Sequence, residues 1–139
     1  MSEGLAVITQ KANAQFFEDA IKRPHTILPD ALAKNPKPLK LEVVDDGMEL
    51  ADNSMTVQLY RIDGNPHGDA LLMAYLPKER LLVEVDAFSP GAAVQPYAAN
   101  LLENITKRNL RVDRIVPLHG TIAPFGDLVK TQQPAKTTN

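Results

Sequence analysis

The chain has 139 residues, enough to bury one core and too few for two independent ones. A formal charge of −2 and a pI near 5.9, with lysine and arginine scattered among acids, give no basic field for phosphate backbones, so no nucleic-acid partner is expected. There is no cysteine, which excludes disulfides, thiolate catalysis and Cys-based zinc sites; any metal must be held by imidazole and oxygen, and only three histidines are available.

Met1-Ser2-Glu3-Gly4 lacks a basic n-region, and no apolar run approaches the roughly 20 residues that span a bilayer. A soluble cytoplasmic protein with no membrane partner is expected. Leu5 to Thr9 is continuous apolar sequence and reads as a short buried strand, with Thr9 capping a helix from about Gln10 to Ile21. Ala14, Phe17 and Ile21 share one face of that helix. Four prolines between Arg23 and Pro38 predict a surface excursion with one turn around Asp30-Ala31-Leu32. It contains His25, which no strand would fix and which is read as having no site role.

From Leu39 the period changes to two. Leu41 and Val43, then Met48 and Leu50, then Met55, Val57 and Leu59 alternate with polar residues, and Asp45-Asp46-Gly47 and Ala51-Asp52-Asn53-Ser54 are turns. Antiparallel strands are predicted. Ala70 to Leu76 and Arg80 to Val85 form two further strands across a Pro77-Lys78-Glu79 hairpin, and their apolar density predicts a central place in the sheet. Ala98, Leu101, Leu102 and Ile105 mark a helix from about Pro96 to Asn109 that should cover one sheet face. A strand over Asp113 to Val116 and a helix over Phe125 to Lys130 complete a domain over residues 1–130, and residues 131–139 read as a flexible polar tail.

Three candidate metal ligands sit at or just past the ends of apolar runs, in the order His67, Asp86, His119. Neutral imidazole and carboxylate both ligate zinc, and two histidines with one carboxylate would leave a tetrahedral position open for water. His67 follows a Gly64-Asn65-Pro66 turn and can equally be a loop histidine with no task. Asp86 ends an apolar strand, where a carboxylate must find a cation, amides or a metal, or else cap the following turn. His119 lies between Leu118 and Gly120, and its alternative is a satisfied, partly buried histidine. There is no glycine-rich phosphate loop and no Gly-x-Ser-x-Gly elbow.

Gly64-Asn65-Pro66-His67, Tyr75 through Phe88, and Val112 through Gly120 resemble the C-terminal half of a metallo-beta-lactamase-fold hydrolase, with the three candidates spaced 19 and 33 residues apart. The resemblance implies that His67 corresponds to the third histidine of the first zinc site, Asp86 to the carboxylate bridging both metals, and His119 to a histidine of the second. The family's His-x-His-x-Asp-His motif precedes the matched region, and this chain contains no such motif. What the resemblance implies is therefore an α/β (α+β) chain, half of an alpha-beta-beta-alpha sandwich, with a mainly antiparallel sheet and flanking helices.

Three functional readings follow. The first is a truncated or split hydrolase-like protein with remnant zinc ligands, inactive alone. The second is a zinc-dependent hydrolase of an ester, amide or lactone-type small molecule, once a partner chain completes the one- or two-ion site. The third is a metal-independent dimerisation or interaction module. An apolar sheet face left without its mate predicts a homodimer or pairing with a complementary N-terminal half.

Overall fold

The computed structural model describes residues 3–24 and 26–132. His25 and most of the expected polar tail, from residue 133, lie outside the described residues. The chain divides into two compact units between Asp45 and Asp46.

The first unit begins with β1 (Val7–Gln10), followed by a 3-10 turn (Lys11–Asn13), α1 (Ala14–Lys22), the short α2 (Ala31–Lys34) and β2 (Leu41–Val44). Thr9 is not the cap: it is buried within β1, and the Gln10 side chain instead accepts a hydrogen bond from the Ala12 amide at 2.5 Å. Asp30 starts α2 by accepting from the Ala33 amide at 2.8 Å, the one turn expected within the proline-rich excursion. This excursion lines a cleft of about 580 Å³, whose walls include Ile21, Pro29, Leu32 and Pro36. β2 pairs with β1 in parallel, Val7 opposite Leu41 and Gln10 opposite Val44, which corrects the antiparallel expectation for this strand. The thirty residues between them include a helix, and so give the crossover length that parallel neighbours require.

The second unit holds β3 (Gly47–Ala51), β4 (Thr56–Arg61), β5 (Leu72–Leu76), β6 (Leu81–Glu84), α3 (Ala98–Lys107), β7 (Arg114–Pro117), β8 (Ala123–Pro124) and α4 (Phe125–Lys130). The six strands form one sheet in sequence order. All neighbours are antiparallel except β6 and β7, which are joined through α3 and run parallel. β5 and β6 occupy the centre, as their apolar density predicted. β8 has two residues, too few to show a period in sequence.

The pleat sorts side chains strictly. Met73 and Tyr75 of β5, Leu82 of β6 and Ile115 of β7 join Ala98, Leu101 and Ile105 of α3 and Leu128 of α4 in one buried core. The α3 residues follow an i, i+3, i+7 pattern, so one stripe of the helix is apolar. The buried Tyr75 hydroxyl donates to the Arg111 carbonyl at 2.8 Å, satisfying its polar end. On the opposite face Met48, Leu59, Ala74, Val83 and Val116 stand in register across five strands and are partly buried. Both faces of this sheet are therefore apolar. No helix among the described residues is long and apolar enough to cross a membrane.

Candidate functional site

Strand directions bring the three candidate ligands to one end of the sheet. β6 and β7 are parallel and pair Glu84 with Pro117; Asp86 and His119 each lie two residues past that pair. β5 runs antiparallel to β6, so the loop before β5, which carries His67, opens at the same end.

The Asp86 carboxylate lies between the two imidazoles. His119 Nδ1 is 2.6 Å from Asp86 Oδ1, and His67 Nε2 is 3.5 Å from Asp86 Oδ2. The site is open: the His119 side chain is 72% exposed and that of Asp86 32%. The His67 ring also meets the Tyr97 ring at 5.1 Å between centroids, tilted by 47°.

Asp86 has φ +60°, a left-handed conformation that glycine adopts freely and aspartate tolerates better than most residues with a Cβ. Glu84, two residues earlier and 1% exposed, holds that turn. Its Oε2 accepts from the amides of Ala87 at 2.7 Å and Phe88 at 3.1 Å, so the chain curls around its carboxylate and points Asp86 outward. The Glu84 carbonyl accepts from the Leu118 amide at 3.0 Å, tying the same residue to the segment that carries His119. Burial pushes the Glu84 carboxyl up to about 7, assisted by the Asp86 charge and opposed by the two amide bonds. Its Oε1 has no hydrogen-bond partner among the described residues.

Gly120 has φ +112°, and a Cβ built there would lie 3.6 Å from Pro90 Cδ. The His119 loop thus passes close to the loop after Asp86, at a position where glycine is the suited residue.

Two imidazoles and a carboxylate are chemically suited to zinc, the ion implied by the resemblance. The spacing is suited only in part. A tetrahedral ion with ligands at roughly 2.0–2.1 Å separates its donors by about 3.3 Å, and the His67–Asp86 distance of 3.5 Å is compatible with this. The 2.6 Å between His119 and Asp86 is instead a direct hydrogen bond. Among the described residues, no group of three His, Cys, Asp or Glu stands as a metal-holding set. As placed, the three residues converge without forming a three-ligand shell.

No family model and no curated protein sequence matches the chain. Solved structures do match. A rubredoxin oxygen:oxidoreductase from the anaerobe Desulfovibrio gigas superposes with a TM-score of 0.61 at 17% identity, over 91% of this chain and 35% of that one. A metallo-beta-lactamase from Pontibacter korlensis gives 0.57 at 18% identity, over 93% and 57%. The DIM-1 metallo-beta-lactamase gives 0.54 at 16%, over 92% and 67%. The chain has the metallo-beta-lactamase fold. The mainly antiparallel sheet with flanking helices agrees with the expected architecture. The chain spans between 35% and 67% of the length of these three neighbours. Their names include both an oxidoreductase and lactamases, so the fold alone does not select a chemistry.

Strand order and direction account for where His67, Asp86 and His119 meet, but four residues around them were not singled out from sequence. Glu84 was detectable: Leu82 and Glu84 share a strand face, so a carboxylate on the inward side of an apolar strand needed a task. Tyr97, Asn100 and Asn104 fall at i, i+3 and i+7 beside the apolar stripe of α3, a polar row that looks like ordinary solvent-facing helix until the His67 loop is placed against it.

Proposed function

We propose that this chain carries the His67, Asp86 and His119 face of a metallo-beta-lactamase-type hydrolase centre and has no hydrolase activity alone. The observation that carries this reading is the shared carboxylate: each Asp86 oxygen faces a different imidazole at one end of the sheet. That is the donor set of a bridging ligand, and it stops short of completion. A catalytic zinc normally has three protein ligands, and here the His119–Asp86 hydrogen bond occupies one carboxylate oxygen. No hydrolytic step is assigned to these residues by themselves.

A complementary chain, or a second copy, would have to supply further ligands before a metal could acidify a water against an ester, amide or lactone-type substrate. The in-register apolar row from Met48 to Val116 supports an association of this kind. A metal-independent interaction module is the second reading, favoured by the direct His119–Asp86 hydrogen bond.

The deciding experiment measures zinc content and native molar mass on one freshly purified sample. Well under one zinc per chain with no hydrolysis of lactam, thioester or phosphodiester probes supports the proposal. Stoichiometric zinc that disappears in Asp86→Ala, with turnover, overturns the claim of inactivity. A metal-free dimer unaffected by His67→Ala, Asp86→Ala and His119→Ala supports the interaction module.

A further inference from the structure

The His67 loop is held by a lattice of side-chain amides. The His67 amide donates to Asn65 Oδ1 at 2.9 Å, and Asn65 is 3% exposed. Asn65 Nδ2 donates to Asn100 Oδ1 at 3.1 Å, and Asn100 Nδ2 donates to the Asp63 carbonyl at 2.8 Å. One turn further along α3, Asn104 Oδ1 accepts from the Asp63 amide at 2.8 Å while its Nδ2 donates to the Asp63 carbonyl at 3.0 Å. Asn104 therefore reads both backbone groups of Asp63, as a neighbouring strand would. Its Nδ2 also donates to the Asn100 carbonyl at 2.9 Å, which fixes the two amides relative to each other.

The row extends to the ring. Tyr97, at the N-cap, falls in line with Asn100 and Asn104; it contacts the His67 imidazole, while the two asparagines hold Asp63 and Asn65, and Asn65 in turn holds the His67 amide. The adjacent stripe, Ala98, Leu101 and Ile105, is anchored in the core. A rigid helix thus presents a polar template beside its apolar anchor.

We propose that Asn100 and Asn104 are positioning residues for His67, setting through Asp63 and Asn65 where its imidazole stands relative to Asp86. This rests on the reading of His67 as a site residue, but not on whether metal binds. A loop left to itself would sample many backbone states, and a fully satisfied side-chain lattice removes that freedom without needing an apolar plug.

The test uses metal-free, isotopically labelled full chain and reads the imidazole resonances by NMR. In Asn100→Ala the His67 ring signals should lose the ring-current displacement that Tyr97→Leu also abolishes, His119 signals should hold their positions, and the His67 amide should lose about tenfold in hydrogen-exchange protection. Thr106→Ala, on the same helix away from the loop, should change none of these. Asn104→Asp keeps the acceptor for the Asp63 amide and removes the donors, and should give a partial shift; if it fails to fold, Asn100→Ala still decides. Unchanged His67 resonances in Asn100→Ala overturn the proposal, as does an equal displacement of His119, which would mean general loosening. Because no metal enters the measurement, a failed zinc test leaves this result intact, and the reverse also holds.

Discussion

His119 Nδ1 approaches Asp86 Oδ1 to 2.6 Å from a position two residues past the paired ends of parallel strands, so the two residues meet because of register rather than loop flexibility. Asp86 adopts φ +60° in doing so. In an exposed setting a contact of this kind contributes about 0–1 kcal/mol, while left-handed backbone costs a residue with a Cβ about 1–2 kcal/mol, less for aspartate than for alanine. Asp86→Gly is therefore expected to match or exceed the parent in stability, and Asp86→Ala to fall about 1 kcal/mol below Asp86→Gly, measured by urea unfolding. Equal stabilities of the two variants would remove the backbone-strain account.

Glu84 makes stability depend on pH. Its carboxyl is raised by burial from 4.5 to about 7, so below 4.5 it is protonated in folded and unfolded chains alike. Between 4.5 and about 7 the unfolded chain has released the proton while the folded chain retains it, and rising pH favours unfolding. This contribution to stability declines through that window and levels off above it. Unfolding curves at about pH 5 and about pH 8 should show the decline, and Glu84→Gln, which keeps an acceptor for the Ala87 and Phe88 amides, should flatten it. A parent-like slope in Glu84→Gln would assign the pH dependence to another group.

Arg108 closes the far end of α3. Its guanidinium donates to both Asp46 oxygens, at 2.7 and 3.2 Å, and to the Arg61 carbonyl at 3.2 Å, and lies 4.8 Å from the Tyr60 ring centre. The side chain is only 12% exposed, although Asp46 is open to solvent. The planar fork makes contacts that a point charge cannot reproduce. Arg108→Lys is expected to lose most of the roughly 1–3 kcal/mol lost in Arg108→Ala, as read from denaturation midpoints. Full retention of stability by lysine would show that charge alone suffices.

The two faces of β6 should respond differently to truncation. Leu82 is wholly buried among helices α3 and α4, and Leu82→Ala should cost about 2–5 kcal/mol. Val83, partly buried on the opposite face, should cost less when shortened to alanine. Calorimetric midpoints for the two variants check the order.

Much of the second unit was legible in sequence because its strands alternate and its helices carry clear apolar stripes. Phe125 to Lys130 formed the predicted helix, Ala98 to Ile105 supplied the predicted core stripe, and Pro77 to Glu79 formed the hairpin tip. The direction of β2 was not legible. Leu41 and Val43 show a period, but a period does not name a partner, and the parallel pairing with β1 depends on a crossover that four prolines disguised. At the site, His67, Asp86 and His119 were visible as residues at strand ends. The hydrogen bond between Asp86 and His119 was not, because it depends on a register and a left-handed backbone that no local motif records.

The parallel pairing of β6 with β7 also orders events in time. Leu82 and Ile115 become neighbours only when the thirty-two residues between them have looped back, whereas β4, β5 and β6 can assemble through short antiparallel connections. The meander is therefore expected to form the folding nucleus and β7 to dock after the rate-limiting step. Ile115→Val should speed unfolding while leaving the refolding rate nearly unchanged, whereas Leu76→Ala at the hairpin should slow refolding. On that schedule His119 reaches the already assembled His67 and Asp86 only in the late docking step, and is the first of the three to leave when the chain begins to open.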